Sequence, residues 1–347
     1  MMIEIAQGLA NILESGYISH MEEDAMENNE RGFSGAKVVR KKVFFSNGTS
    51  TTMIFKCTDR KERCAMKLLT EQKQCTPVCY SEDIQADAPC WMAMEDLGQK
   101  KLAEPCDIPW LRKVADSLAS IHSMNMNKGW KMPWLPIADE AYWQSVVTTL
   151  SVDHFERKME QNAEFYQEFG RYLPKLREIG QQFAKDMSAL SKEKDVMTLT
   201  HGDLQMRDGA HIYCCGGTPR IIDFGFCRYA PFYIDLAGWF AREELKLYYD
   251  AMCKRGLTIK YADFEERART AYRYNGFIYL CPGVMDWKAG TTHQAEKRLL
   301  QALHIILYGD FPERNRAYSD ELFSKILSEH RNQSMQECKT GLITSNL

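Results

Sequence analysis

The sequence predicts an α+β chain of two lobes, a small N-terminal lobe built on an antiparallel sheet and a larger, mainly helical C-terminal lobe. Three observations carry this. The chain has 347 residues, more than one typical domain holds. Two short runs rich in β-branched and aromatic residues, Lys37 to Phe45 and Thr51 to Cys57, flank a Ser46-Asn47-Gly48-Thr49 turn. Past Leu111 the apolar residues recur mostly at helical spacing, interrupted by a second hairpin pattern between Gly209 and Phe224.

Taken in order, Met2, Ile5, Ala6, Leu9, Ile12 and Leu13 fall on one helical face before Gly16. The polar positions of that helix lack the Lys and Arg of a lipid-surface anchor, so it reads as a packing helix. The acidic stretch His20 to Glu30 reads as a solvated connection or a weak first strand. Gly32-Phe33-Ser34-Gly35-Ala36 is a small-residue turn into the first apolar strand, and the strand ending Met53-Ile54-Phe55-Lys56 leads into a helix over 62–73. Cys90 to Met94 is an apolar strand that breaks at Glu95-Asp96-Leu97-Gly98. Leu111 to His122 is an amphipathic helix, Trp130 to Pro136 a turn, and helical patterns run over 139–160 and 162–191. Arg242 to Arg255, Phe264 to Leu280, His293 to Tyr308 and Asp320 to His330 read as helices, with a polar tail after Asn332. The lobes divide as 1–98 and 99–347.

The chemistry concentrates between Thr200 and Phe240. His201-Gly202-Asp203-Leu204-Gln205-Met206-Arg207-Asp208 and Ile222-Asp223-Phe224-Gly225 bracket the second hairpin, whose turn lies at Gly216-Gly217-Thr218-Pro219. A hairpin returns its ends to one place. Asp203 and Asp208 on its entry and Asp223 at its exit would converge where a hard cation and a polyphosphate neutralise them, an arrangement suited to phosphoryl transfer.

A His and Asp followed five residues on by a metal-binding side chain, and then by Asp-Phe-Gly, resembles the protein-kinase pattern. The glycine in His201-Gly202-Asp203 resembles the aminoglycoside phosphotransferase family, so the chain is identified as a protein-kinase-like small-molecule kinase with a two-lobed kinase fold. The resemblance implies that Asp203 is the catalytic residue beside the acceptor hydroxyl, and that Asp223 and Asp208 are the Mg²⁺ ligands. The family has Asn where this chain has Asp208, which keeps an oxygen donor and adds a charge. His201 and Asp235 would brace the catalytic loop, and His122 would be structural. In the nucleotide lobe, Ser34 and Gly35 would lie over the phosphates. Lys56 would contact the α and β phosphates and Glu62 would pair with it, with Lys67 as the competing lysine. The backbone at Met94, Glu95 and Leu97 would form the hinge for the purine edge. Phe226 to Pro231 leads almost at once to Tyr233-Ile234-Asp235-Leu236-Ala237, with no Ala-Pro-Glu triplet, which leaves no peptide-docking segment and favours a small-molecule substrate. The implied co-substrate is ATP or GTP with Mg²⁺, and the implied acceptor a hydroxyl of an antibiotic such as an aminoglycoside. A metabolite acceptor such as choline, homoserine or a sugar is the alternative within the class. A nucleotide-binding pseudokinase or interaction module is the alternative outside it, to which Asp208 points.

A net charge of −3 argues against a nucleic-acid partner, which calls for a strongly basic face. The first residues carry an acid, Glu4, and no long apolar run, so a cytoplasmic protein without a membrane span is expected, as a monomer or homodimer. The 12 cysteines include no Cys-x-x-Cys pair and read as reduced, small apolar residues rather than zinc ligands or disulfides.

Overall fold

In the antiparallel sheet, side chains alternate between faces, and this places the lysine that opens the site. The computed structural model describes residues 17–24, 36–80, 87–98, 107–204, 211–237, 239–287 and 292–309. The expected N-terminal helix, the Ser34-Gly35 turn, Asp208 and the last expected helix lie outside the described residues.

The described residues fall into two compact units. The first takes its residues from Met1–Pro136 and Leu199–Tyr229, the second from Ile137–Thr198 and Ala230–Leu347. The division differs from the lobes expected at 98, because the first unit includes both the sheet and the His201 to Phe226 segment.

The first unit carries a four-stranded antiparallel sheet in chain order: β1 (Ile18–Asp24), β2 (Val38–Phe45), β3 (Ser50–Thr58) and β4 (Cys90–Glu95). The start of the acidic stretch, His20 to Asp24, is therefore strand, with Met21 opposite Val43. Ile18, Val43, Phe45, Met53, Phe55 and Ala93 form its core. Alternation along β3 puts Met53 and Phe55 on the core face and Lys56 on the other. Asp59 caps helix α1 (Arg60–Glu71) by accepting from the Glu62 N–H at 2.9 Å, and so starts it at the register that carries Glu62. Helix α2 (Ile108–Asn125) is capped in the same way by Asp107 and holds α1 through a reciprocal amide pair, Gln72 with Asn125, at 2.9 and 3.0 Å.

The second unit is helical: α3 (Glu140–Val147), a π turn over Thr148–Val152, α4 (Asp153–Gln161), α5 (Ala163–Phe169), α6 (Leu173–Leu190), α7 (Leu245–Cys253), α8 (Tyr261–Asp286) and α9 (Thr292–Tyr308). The two long helices expected over 139–160 and 162–191 are thus each broken. Asn162, extended and bonded to the Phe165 N–H, stops α4 and caps α5. Phe155, Phe165, Phe169 and Trp287 pack edge-on or tilted at centroid spacings of 4.9–6.2 Å. Gly276 and Gly283 lie two turns apart on α8, and a Cβ at either would meet Ile306 or Leu299 of α9 at under 3 Å. No helix among the described residues is long and apolar enough to cross a membrane.

Candidate functional site

Four short strands build the loop around the site. β5 (Met197–Thr200) delivers His201, β6 (Ile212–Cys215) and β7 (Thr218–Ile221) form the hairpin, and β8 (Arg228–Pro231) follows Phe226. The hairpin turn is the two-residue Gly216-Gly217, with φ of 54° and 76°, which only glycine adopts readily twice in succession. Thr218 and Pro219, expected in the turn, belong instead to β7, paired with Cys215 and Cys214. The hairpin is anchored within its unit by Ile221 N–H to the Cys75 carbonyl (2.8 Å), Arg220 Nη1 to the Thr76 carbonyl (2.6 Å) and Lys113 Nζ to the Gly217 carbonyl (2.7 Å).

With that anchoring, Asp223 sits two residues past the strand end in the left-handed region, φ 66°, a conformation Asp tolerates better than most residues. Its Oδ1 accepts from Lys56 Nζ at 2.7 Å, and the same ammonium donates to Glu62 Oε1 at 2.7 Å. Thr58 Oγ1 donates to the other Glu62 oxygen at 2.5 Å. Lys56 and Glu62 are 8 % and 2 % exposed, so this is a buried ion cluster reached from one side through Asp223. Burial by itself would lower the Lys56 pKa, but Glu62 and then Asp223 outweigh it and hold the ammonium above its ordinary value. Burial pushes Glu62 up, against the pull of Lys56. Burial also works against the Asp223 charge, yet Lys56 prevails and keeps that carboxyl below its usual range. Gly225 makes room for this cluster, since a Cβ there would lie 3.3 Å from Asp223 Oδ1 and 3.7 Å from Glu62 Oε2.

The His-Gly-Asp turn has its own logic. His201 is buried and its Nε2 lies 2.7 Å from the Ile222 carbonyl, while its Nδ1 receives the Asp203 N–H at 3.2 Å. A backbone N–H can only donate, so Nδ1 is the acceptor and Nε2 carries the proton to Ile222. One neutral ring thereby ties Asp203, half-buried, to the strand end that presents Asp223. Gly202 has φ 79°, and a Cβ there would strike the Phe226 carbonyl.

Of the residues singled out in the sequence, Lys56, Glu62, Asp203, His201 and Asp223 belong to one compact unit, and Lys56, Glu62 and Asp223 are in direct contact. Asp235 is fully buried at the end of a 3₁₀ turn, Phe232–Asp235, in the helical unit. His122 is fully buried within α2. At the strand end expected as hinge, the Glu95 N–H is taken by the Val78 carbonyl (2.9 Å), and its side chain accepts from the Val78 N–H (3.1 Å) and faces Arg220. Asp96 makes a two-point pair with Arg40 at 2.9 and 3.3 Å. The side chains at 95 and 96 therefore brace the sheet, and Met94 continues the ladder opposite Ile54.

Thr58 and His211 were not anticipated. Thr58 lies two positions beyond Lys56 on the same strand face, a relation that strand periodicity contains. His211 follows from the hairpin register: with Ile212 opposite Ile221, residue 211 faces Ile222, next to Asp223. Its ring is 5 % exposed and stands edge-on to His201 at 5.2 Å. Burial, and then His201, depress its pKa to about 3 against the opposing pull of Asp223, so the ring is neutral.

Among the described residues no cluster of three or more His, Cys, Asp or Glu side chains could hold a metal ion. The donors fit a cation shared with a ligand all the same. Asp223 Oδ1 is occupied by Lys56, whereas Oδ2 accepts no hydrogen bond among the described residues and the side chain is 36 % exposed.

The same fold recurs in solved structures of small-molecule kinases. Choline kinase from Cryptosporidium parvum Iowa II matches with a TM-score of 0.59 at 12 % identity, over 87 % of this chain and 94 % of that one. The AMP-bound spectinomycin phosphotransferase matches with a TM-score of 0.56 at 13 % identity, over 87 % and 98 %. The Plasmodium vivax ethanolamine kinase matches with a TM-score of 0.52 at 10 % identity, over 81 % and 82 %. With the site above, these likenesses define the class, a protein-kinase-like small-molecule kinase fold of mixed α+β type, as the His-Gly-Asp and Asp-Phe-Gly motifs had implied. Residues 60–242 match the model of the ecdysteroid kinase-like family, and the chain belongs to that family. No curated protein is significantly similar to it.

Proposed function

We propose that this protein transfers the γ-phosphate of ATP or GTP to a hydroxyl of a small molecule. The observation that supports it most is the Lys56 ammonium held at 2.7 Å by both Glu62 and Asp223. A buried lysine with two carboxylates fixed around it is preorganised to receive anionic phosphate oxygens, at no cost in reorientation when they arrive. Glu62 aims the ammonium, Thr58 fixes Glu62, and Asp223 keeps its second oxygen clear of Lys56. Mg²⁺ bound at Asp223, with Asp208 as the second ligand assigned from the sequence, would neutralise charge on the polyphosphate. Asp203, positioned through His201, orients the acceptor hydroxyl and takes its proton. Ser34 and Gly35 cover the phosphates. The purine edge meets the backbone at the end of β4, where Met94 and Leu97 flank a Glu95 N–H already committed to Val78.

For the acceptor, the motif resemblance points to an antibiotic such as an aminoglycoside. A second reading has its own support. Phe226, whose backbone abuts Gly202 beside Asp203, is 57 % exposed, and such an aromatic face favours an acceptor with an apolar ring system over a polycation. The family name suggests a polyhydroxylated steroid of this kind. The deciding experiment incubates purified protein with ATP or GTP and Mg²⁺ and measures acceptor-dependent nucleotide consumption across an aminoglycoside panel, amino alcohols and ecdysteroids. Consumption that depends on one acceptor class names it. Absence of both turnover and any nucleotide-dependent rise in Tm would replace this reading with that of an interaction module.

A further inference from the structure

His211 Nδ1 is a buried polar atom with no hydrogen-bond partner among the described residues. Buried ring nitrogens are seldom left so, because the lost hydration is not returned. Asp223 Oδ2 lies 4.0 Å away, too far for a hydrogen bond and far enough to leave room for one atom between the two. That oxygen is the one that accepts no hydrogen bond among the described residues, since Lys56 holds its twin. The neighbouring imidazole cannot take such a place, because both His201 nitrogens are committed, one to the Ile222 carbonyl and the other to the Asp203 N–H. The surroundings also keep His211 where it is. Its carbonyl accepts the Ile222 N–H at 2.9 Å, and its ring stands edge-on to His201.

We infer that His211 is a nitrogen donor to the cation held by Asp223, and that it gives this enzyme a preference for Mn²⁺ over Mg²⁺. The inference rests on the phosphotransfer reading of the site. A small hard ion such as Mg²⁺ favours an all-oxygen shell, whereas a first-row transition ion accepts imidazole readily and binds more tightly where one is offered. An Asp oxygen and an imidazole nitrogen supply the protein's share, and polyphosphate oxygens and water complete it. With Nδ1 unprotonated, its lone pair beside Asp223 Oδ2 is costly without a cation and useful with one.

The test uses full-length protein with ADP and Mn²⁺, read by pulsed electron paramagnetic resonance. The expected result is a ¹⁴N coupling to the bound Mn²⁺ that becomes a ¹⁵N coupling when the protein is grown with ¹⁵N-histidine. The label excludes adenine as the source and requires no substitution. His211→Phe should abolish the coupling and weaken Mn²⁺ binding about 10- to 100-fold, the range for losing a group that completes or orients a metal site. Mg²⁺ binding should change by less than about threefold, as expected for an ion that does not rely on nitrogen. Mn²⁺ bound with ADP but without a histidine nitrogen coupling would overturn the role of His211 and leave the kinase reading standing. No Mn²⁺ bound with ADP, to wild type or to His211→Phe, would overturn both.

Discussion

The two units of this chain fill their interiors with different chemistry. The helical unit buries rings: Trp143, Phe155, Phe165, Phe169, Tyr272 and Tyr274 are all at 2 % exposure or less. The sheet-bearing unit buries ions and imidazoles as well: Lys56, Glu62, Arg63, His201 and His211 are all at 8 % or less. Apolar burial stabilises in proportion to area and needs no particular partner. Buried charges seldom gain more than their desolvation costs. A fold gathers them in one place when they do something other than stabilise: Lys56, Glu62, His201 and His211 surround Asp223, whereas Arg63 serves the Thr58 and Ala88 carbonyls, and the helical unit buries acids such as Asp235 and Glu244 among its rings.

The largest effect that would sharpen this contrast is on rate. Asp203→Asn should lower turnover by roughly 10²- to 10⁴-fold, because it removes proton acceptance and alters acceptor positioning, while nucleotide binding stays nearly intact. Trp143→Ala in the helical unit should do the reverse, costing about 3–5 kcal/mol of stability with turnover per folded molecule unchanged. Steady-state rates on variants with matched folded fractions check both. An Asp203→Asn enzyme at the wild-type rate would remove that residue from the mechanism.

Next comes the ion cluster. Lys56→Ala leaves two carboxylates without their cation and should cost about 3 kcal/mol, the low end for breaking a buried pair, because Asp223 is 36 % exposed and partly screened. It should also weaken binding of nucleoside triphosphate. Lys67→Ala should cost less than about 1 kcal/mol, as for most positions outside the core, and leave nucleotide binding unchanged. Denaturant titration and nucleotide-dependent melting distinguish the two, and the opposite pattern would transfer the phosphate-binding role to Lys67.

A pair of glycines separates shape from chemistry. Gly202→Ala forces a side chain into φ 79° against the Phe226 carbonyl, and Gly180→Ala in α6 drives one into Val147. Each should cost roughly 1–3 kcal/mol. Only Gly202→Ala should also lower turnover of the folded enzyme, since Asp203 moves with the turn.

How legible this was follows from what kind of physics set each part. The hairpin of β2 and β3, the strand position of Lys56 and its pairing with Glu62 are local: a turn signal, a period of two and a cap within six residues decide them. The boundary at Asn162 falls where the two helical patterns were divided, but the breaks at Thr148–Val152 and Gly170–Tyr172 were not legible, because helical spacing continues through both and only the π and 3₁₀ turns reveal them. The glycine requirement at 202 depends on a carbonyl 24 positions further along the chain, and no local pattern announces it. His211 lay in between. The Gly216-Gly217 turn fixes the register that sets it opposite Ile222, but that register follows only once Thr218 and Pro219 are known to be strand.

The smallest effect is the most specific to the ion-rich unit. His211 has its pKa depressed to about 3 in the folded protein, from 6.5, by burial and then by His201, with Asp223 opposing and Lys56 adding to the depression. For a depressed folded pKa the stabilisation is fully present above the unfolded value, here above pH 6.5, and is lost as pH falls towards 3, because unfolding then takes up a proton that the folded ring refuses. The slope is at most about 1.4 kcal/mol per pH unit for one group. Glu62 works in the other direction: its raised pKa gives stability that is present below its ordinary value of 4.5 and lost as pH rises through the folded value. Asp223, with its lowered pKa, gives stability that is present above its ordinary 3.8 and is lost only as pH falls below it. The sum of these is ambiguous, and the difference between wild type and His211→Phe is not, since both retain Glu62 and Asp223. In metal-free, nucleotide-free protein, unfolding free energies at pH 7, 6, 5 and 4.5 should show that difference shifting against wild type below pH 6.5, by roughly 3 kcal/mol at the lowest pH. Phe155→Leu in the helical unit, where no buried imidazole is involved, should give a difference flat across the same range. A flat difference for His211→Phe would mean that the ring is solvated or paired in solution, and that the contrast between the two interiors is smaller than the geometry makes it.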